Sequence, residues 1–378
     1  MKTSVLSHFR KFLFLLISIL FFYSCNSDDD LEVVEEVAEA PIETPTATPD
    51  DDTKNPWQPL GAGMDDTVIA LTQHDDNLIA GGWFEKAGTV NVGFVAQWDG
   101  SSWSRMGSGM DDIVYAFEDY NGILIAAGWF YNASGKNANF IASWDGNEWQ
   151  PLGNGRTEAT LALTIFNGDL IAGGYSETSG EDSNRVARWD GTEWHPMGIG
   201  INGPVWDLIV YKGELIAGGY FDKAGGQTVN YIARWDGSNW QPLGTGLNAE
   251  VEVLSVFEDE LIVGGSFTTA SGIATNNIAR WDGSQWHSIG EGMNGSVYSL
   301  TVYEDKLIAG GYFSQADGKA ANNIAIWDGT VWNPIGDGFN NWVPALVSYN
   351  DTFVAGGDFN KSGNREVSFI SIYEEPEE

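Results

Sequence analysis

The chain has almost no cysteine, little histidine and few bases. Its 378 residues include one Cys, Cys25, which excludes an intrachain disulfide and any Cys-rich zinc or iron–sulfur site. Four histidines leave little material for a histidine-rich metal centre. Lys and Arg number 18 against 53 Asp and Glu, a formal net charge of −35. A surface that acidic repels phosphate backbones and anionic headgroups, which makes nucleic acid a poor partner and electrostatic docking on lipid a poor mode of attachment. Helical periodicity is missing from the body of the chain, and no apolar run is long enough to span a bilayer as a helix. What the chain has in excess is 47 Gly and 17 Trp, beside an ordinary 43% of hydrophobic residues.

The first thirty residues read as an address. Lys2, Arg10 and Lys11 form a basic start, and Phe12 to Tyr23 is an apolar run of twelve residues. Such a run fits the h-region of a signal peptide, here residues 1–24. It ends in Phe22-Tyr23-Ser24-Cys25, which resembles the lipobox of bacterial lipoproteins, with aromatic residues where smaller aliphatic ones are usual. The resemblance implies cleavage before Cys25, acylation of Cys25, and a membrane anchor made of lipid chains. Asn26-Ser27-Asp28-Asp29-Asp30 is similar to the signal that sends some Gram-negative lipoproteins to the outer face of the outer membrane. Residues 25–55 then read as the lipidated Cys and an extended tether, carrying eleven acidic side chains and one Lys between residues 26 and 55.

Repeats organise the remainder. Trp57, Trp103, Trp149, Trp194, Trp240, Trp286 and Trp332 recur every 45 or 46 residues, each opening a Trp-x-x-[Leu/Met/Ile]-Gly segment. In the sixth unit an alternating run, Val297 to Tyr303, turns at Glu304-Asp305 into Leu307-Ile308-Ala309-Gly310-Gly311-Tyr312-Phe313. A loop of Gly, Ala, Asn and Lys follows, and the unit closes on Asn323-Ile324-Ala325-Ile326-Trp327-Asp328-Gly329. These are four short β runs, termed a to d, with d beginning at the repeat Trp. Four strands in 46 residues are the size of one propeller blade. In the Trp-Asp-Gly-x-x-Trp hairpin, Asp-Gly suits a tight turn and the two indoles suit the narrow space between blades. The predicted fold is all-β, a seven-bladed β-propeller of four-stranded blades over residues 56–378. Trp57–Gly61 is a d strand with nothing before it, and the last unit reaches Tyr373 without one. Pairing the two closes the ring and removes an exposed sheet edge.

The unit resembles the kelch and galactose-oxidase-like propeller superfamily, with Gly-Gly ending b, an aromatic-Asp ending c and Trp opening d. The resemblance covers residues 57–373, although the c–d hairpin is shorter than the usual kelch one and the second unit has Ala127-Gly128 for Gly-Gly. The enzymes of such folds find no matching residues. Galactose oxidase needs a Cys cross-linked to Tyr beside copper, and Cys25 lies in the signal region. His195 and His287 occupy a repeat position after the repeat Trp, and His74 lies in an a–b turn, so none reads as a catalytic base. Arg188, Arg234 and Arg280 share one repeat position and cannot converge on a carboxylate as in sialidases. Arg156, Arg185 and Arg365, in or beside b–c and d–a loops, form a weaker set. No cofactor is expected. Asp65, Asp66, Asp111 and Asp112 occupy equivalent d–a loops, where they read either as solvated turn acids or as hard oxygen ligands for Ca²⁺.

Four tryptophans fall outside the repeat: Trp83 and Trp129 after the di-glycine, Trp206 in strand a, and Trp342 at a d–a junction. The position after the di-glycine varies as Trp83, Trp129, Tyr175, Tyr220, Ser266, Tyr312 and Asp358, whereas the next is Phe in six of seven units. Two readings stay open. One is an aromatic-lined mouth for a sugar ring or a protein partner, with Trp83, Trp129, Trp206, Tyr220, Tyr312 and Trp342 as ligand-binding residues. The other is tolerant packing between blades. The expected function is a surface-anchored, monomeric, non-catalytic binding lipoprotein for a glycan or protein. The alternative is an extracellular glycan hydrolase or lyase, which needs titratable side chains converging in one sector of the mouth.

Overall fold

The computed structural model describes residues 55–176 and 185–375; the expected signal peptide, Cys25 and nearly all of the tether lie outside them. Seven antiparallel four-stranded sheets follow one another along the chain. Blade 1 runs Val68–His74 (a), Asn77–Gly82 (b), Val95–Trp98 (c) and Trp103–Arg105 (d), paired in that order. Blade 4 repeats it as Val205–Tyr211, Glu214–Gly219, Ile232–Trp235 and Trp240–Pro242. Strand a of each blade touches strand a of the next, and Ala345–Tyr349 of blade 7 touches Val68–His74 of blade 1. The ring is closed. The chain is a seven-bladed β-propeller, and no helix occurs among the described residues.

The closing strand comes from the other end of the chain. Trp57–Pro59 pairs antiparallel with Ile370–Tyr373, Trp57 opposite Tyr373, in one sheet with Thr352–Gly356 and Ala345–Tyr349. Arg365 Nη1 donates to the carbonyls of Trp57 (2.6 Å) and Asn55 (3.1 Å), and Ser371 Oγ donates to the Gln58 carbonyl at 2.7 Å. Trp57 is fully buried against Phe339, Phe353 and Tyr373.

The core sits between blades, in seven apolar clusters, one at each interface. At the interface of blades 3 and 4, Trp240 packs with Phe166, Ile171, Val205, Leu208 and Trp235. The indoles that flank each c–d turn meet in tilted pairs, as Trp235 and Trp240 do at 5.4 Å. In the turn itself, Asp99 Oδ1 accepts the N–H groups of Ser101 and Ser102, both at 2.8 Å, beside Gly100 at φ 93°.

The di-glycine has an asymmetric cause. A Cβ on the second glycine would collide with a carbonyl oxygen of strand a's own approach, Ile113 for Gly128 and Pro204 for Gly219, and backbone cannot yield. A Cβ on the first meets side chains of the next blade, Val251 for Gly218. That position can repack, and blade 2 carries Ala127 there, fully buried.

The b–c connection is more ordered than the loop read from the sequence. Among the described residues it forms a miniature hairpin in six blades, such as Lys223–Ala224 with Gln227–Thr228 around Gly225-Gly226 at φ 58° and 75°. Both positive φ values fit a tight primed turn.

Candidate functional site

The b–c and d–a segments share one rim of the ring, and a single repeat position gives that rim its character. After the di-glycine the backbone is fixed. The N–H groups of Trp83, Trp129, Tyr220, Ser266 and Asp358 donate to the carbonyls of Thr67, Ile113, Pro204, Glu250 and Trp342, at 2.9–3.3 Å. Tyr175 and Tyr312 pair with Ala159 and Ser296 at the same level of the ladder. The side chains then diverge. Tyr312 is 63% and Tyr220 39% exposed, whereas Trp83 and Trp129 are half-buried. Trp129 stacks on Tyr175 of the next blade at 5.9 Å and 20°. Trp342 is half-buried and meets Tyr298 edge-on at 5.4 Å. Ser266 Oγ and Ser296 Oγ lie 2.8 Å apart, and Asp358 accepts from Thr67 Oγ1 at 2.8 Å. Tyr220 and Tyr312 are therefore offered outward, while Trp129 and Tyr175 share their faces with each other.

Asp65 and Asp111 act within this scaffold. Asp65 Oδ1 accepts the N–H groups of Glu85 (3.0 Å) and Lys86 (2.8 Å), and Asp111 Oδ1 those of Tyr131 (2.9 Å) and Asn132 (2.8 Å). Asn248 does the same for Thr268 and Thr269 at 2.9 Å, so a neutral amide suffices for the latch. Asp66 and Asp112 accept the N–H groups of Thr67 (2.7 Å) and Ile113 (2.9 Å).

Three carboxylates that the sequence reading passed over lie on the innermost strands. In six blades the a–b ladder slips near the start of strand a, as between Val205 and Asp207, leaving Trp206 outside it. Such bulges re-aim a side chain. The equivalents of Trp206 are Ile69, Tyr115, Leu161, Glu252 and Tyr298, and Glu252 is the acid among them. Burial, with Glu250 beside it, pushes the Glu252 carboxyl up to about 8. Burial and then Glu252 also raise Tyr298, so Glu250, Glu252, Tyr298 and Trp342 form one connected sector. Asp207 accepts from Leu208 N and, across the blade boundary, from Leu254 N, both at 2.7 Å; burial outweighs these bonds and lifts it to about 7. Burial lifts Glu118 to about 7 as well. The signal for all three was an acid at a repeat position that is otherwise apolar or hydroxylic.

The remaining candidates serve the repeat or the closure. Arg188, Arg234 and Arg280 pair with Asp169, Glu214 and Glu260 at 2.8, 2.8 and 2.6 Å. Arg365 is committed to the closing strand, so it does not converge with Arg156 and Arg185. Those two are buried near Glu158, with the Arg156 guanidinium 5.2 Å over the Trp194 ring and lowered to about 10 by burial. His195 and His287 lie 2.6 and 2.8 Å from Asp190 and Asp282, in the place where Gln241 donates to Asp236 at 3.1 Å. Asp190, Glu193 and His195 bring three potential cation ligands within 4.8 Å of one another, at an exposed turn. His74 Nδ1 lies 3.2 Å from Asp119 Oδ2 across blades 1 and 2.

The comparisons agree with this architecture. A model of a β-propeller domain of unknown function (DUF5122) matches residues 213–236, the b and c strands of blade 4. No curated protein matches. Among solved structures, the chain is similar to the extracellular domain of a hybrid two-component system from B. thetaiotaomicron, at 14% identity and a TM-score of 0.56, covering 84% of this chain and 39% of that one. It is also similar to the WD40 propeller domain of Doa1, at 14% identity and a TM-score of 0.53, covering 82% and 93%. YCF48 bound to D1 peptide gives 13% identity and a TM-score of 0.54, covering 85% and 97%. What is shared is the propeller.

Proposed function

We propose that this chain is a binding propeller of the cell envelope, held by lipid on Cys25 and presenting its b–c/d–a rim to a glycan or protein on the end of an acidic tether. One observation carries the binding part: the position after the di-glycine has a fixed backbone in every blade and four kinds of side chain across the seven, Trp, Tyr, Ser and Asp. A scaffold that holds the main chain constant and varies the side chain is how a recognition surface is diversified. The anchor rests on the basic start, the twelve-residue apolar run and Ser24-Cys25. The kelch-like character rests on the Gly-Gly, aromatic-Asp and Trp marks of each unit. Two solved propellers of the same fold, one an extracellular domain and one bound to a peptide, are compatible with this reading and share no more than the fold. Metabolic labelling with a fatty acid tests the anchor: label and membrane retention in the wild type, and loss of both in Cys25→Ala. Retention without label in either protein contradicts it.

A second reading has one observation in its favour. Glu250, Glu252 and Tyr298 gather titratable groups in one sector of the mouth, as a glycan-active enzyme requires. Release of reducing ends from a polysaccharide, abolished by Glu252→Gln, would support that alternative over a purely binding role.

A further inference from the structure

Between blades 4 and 5, at the edge formed by the a–b and c–d turns, lies a groove of about 280 Å³. Its floor is apolar and aromatic: Tyr211, 3% exposed, and Trp281, 8% exposed. Tyr211 is fixed from below, its hydroxyl donating to the carbonyls of Trp281 and Asp259, both at 3.2 Å. The walls are polar. Arg234 Nη1 donates to Glu214 at 2.8 and 3.1 Å; Lys212 Nζ sits 4.9 Å over the Tyr211 ring and donates to the Asp282 carbonyl at 3.0 Å; Ser284 lies opposite.

The groove recurs elsewhere in the ring with different chemistry. An equivalent groove of about 220 Å³ lies between blades 6 and 7, where Ile326 and Lys306 take the places of Arg234 and Glu214. The Arg–acid pair recurs as Arg188–Asp169 and Arg280–Glu260, in the two blades flanking blade 4. Blades 1 and 2 have Gln97 with Asn77 and Ser143 with Ile123. Arginine and acid are thus present together or absent together, in three consecutive blades. Their side chains are about two-fifths and one-third exposed, and ion pairs that exposed contribute little to stability.

We propose that the groove between blades 4 and 5 is a saccharide subsite, taking one neutral sugar residue through Arg234, Glu214, Lys212 and Ser284 over the Tyr211–Trp281 floor. The chemistry selects the class. Arg234 keeps Nε and Nη2 as donors and Glu214 keeps acceptor capacity, so the walls alternate donors with acceptors at hydrogen-bond spacing. Vicinal hydroxyls satisfy both at once. An anion meets Glu214, a cation meets Arg234 and Lys212, and an apolar ligand desolvates all three charges while giving their remaining donor and acceptor sites nothing in return. At the floor the exposed edges of Tyr211 and Trp281 give the C–H groups of a pyranose an apolar contact. This subsite lies at the opposite blade edge from Tyr220 and Tyr312 and does not depend on the rim being a binding surface.

The test is saturation-transfer NMR on the full chain in detergent, with glucose, galactose, N-acetylglucosamine and glucuronate as probes. At least one neutral sugar should receive transfer, and glucuronate should receive less. The double variant Arg234→Gln with Glu214→Asn installs the pair that blade 1 uses naturally, so folding is preserved and checked by melting temperature. It should reduce transfer several-fold, and Lys212→Ala, at an exposed position, should reduce it in the same direction. Absence of transfer to every probe overturns the subsite, as does undiminished transfer in the double variant. Loss of transfer in Tyr312→Ala but not in the double variant also overturns it, and moves the sugar to the rim.

Discussion

Trp240 Nε1 donates to the Met197 carbonyl oxygen at 3.2 Å, across the boundary between blades 3 and 4 and 43 residues along the chain. The same bond joins Trp103 to Leu60, Trp286 to Leu243 and Trp332 to Ile289, and Trp57 closes the series on Ile335. In these five units the repeat Trp is therefore an inter-blade rivet: its ring fills the interface and its N–H satisfies a buried carbonyl, whereas Trp149 and Trp194 contribute the ring without that bond. Trp240→Ala should cost roughly 3–5 kcal/mol, as for other large buried aromatics. Trp240→Phe keeps much of the ring and orphans the carbonyl, for about 1–3 kcal/mol. Urea melts of the two variants beside the wild type give both values.

The two glycines ending strand b should respond differently. Gly128→Ala drives a methyl group into the Ile113 carbonyl and should destabilise by about 1–3 kcal/mol or more. Ala127→Gly, restoring the usual pair, should cost no more than about 1 kcal/mol. The comparison needs only melting curves, and the reverse ranking would contradict the explanation of the di-glycine.

Stability should fall as the pH rises from mildly acidic through neutral. In the fold Glu252 and Asp207 keep their protons up to about 8 and about 7, because burial disfavours their charged forms. In the unfolded chain both release them near about pH 4. The folded state binds more protons in between, so stability declines as pH rises from about 4 to about 8. Glu252→Gln, with Glu250 and Tyr298 still facing it, should raise the melting temperature at about pH 8 and leave it nearly unchanged at about pH 5. The hairpin aspartates act oppositely: Asp99 and Asp236 are lowered to about 2 by turn hydrogen bonds, so their contribution is lost only in strong acid.

Removing the closing strand should loosen the last blade. A chain starting at residue 63 lacks Trp57–Pro59 and leaves the edge of Ile370–Tyr373 unpaired. It should melt lower, or aggregate, beside a chain starting at residue 54. Equal melting temperatures would contradict closure by this strand.

The blade was legible because its marks repeat: Trp, Asp-Gly and Gly-Gly each answer to one local constraint, the first copied seven times and the other two six times. Closure was legible from what the two ends lack, since Tyr373 stands without a following d strand and Trp57 without a preceding c strand. The miniature b–c hairpins were not, because their support comes from Asp65, Asp111 or Asn248, some twenty residues upstream, through side-chain bonds that no local pattern announces. Left-handed Phe94, Phe140 and Tyr231 at the start of strand c, with φ of 66°, 72° and 71°, are equally unannounced for bulky residues. The rim was half legible. Variation after the di-glycine located it, but exposure separates Tyr220 and Tyr312 from Trp129, which spends its face on Tyr175. Glu252 and Asp207 were missed because each appears once, and repeat reading gives its weight to what recurs.

The claim that the varied rim position carries recognition is tested most directly on an array of glycans and candidate surface proteins, probed with residues 54–378. The wild type should bind a defined subset, and Tyr220→Ala and Tyr312→Ala should each weaken that binding several-fold, in line with about 0.5–1.5 kcal/mol per stacked aromatic. Melting temperatures of both variants should match the wild type. Binding that survives both substitutions unchanged would contradict the account.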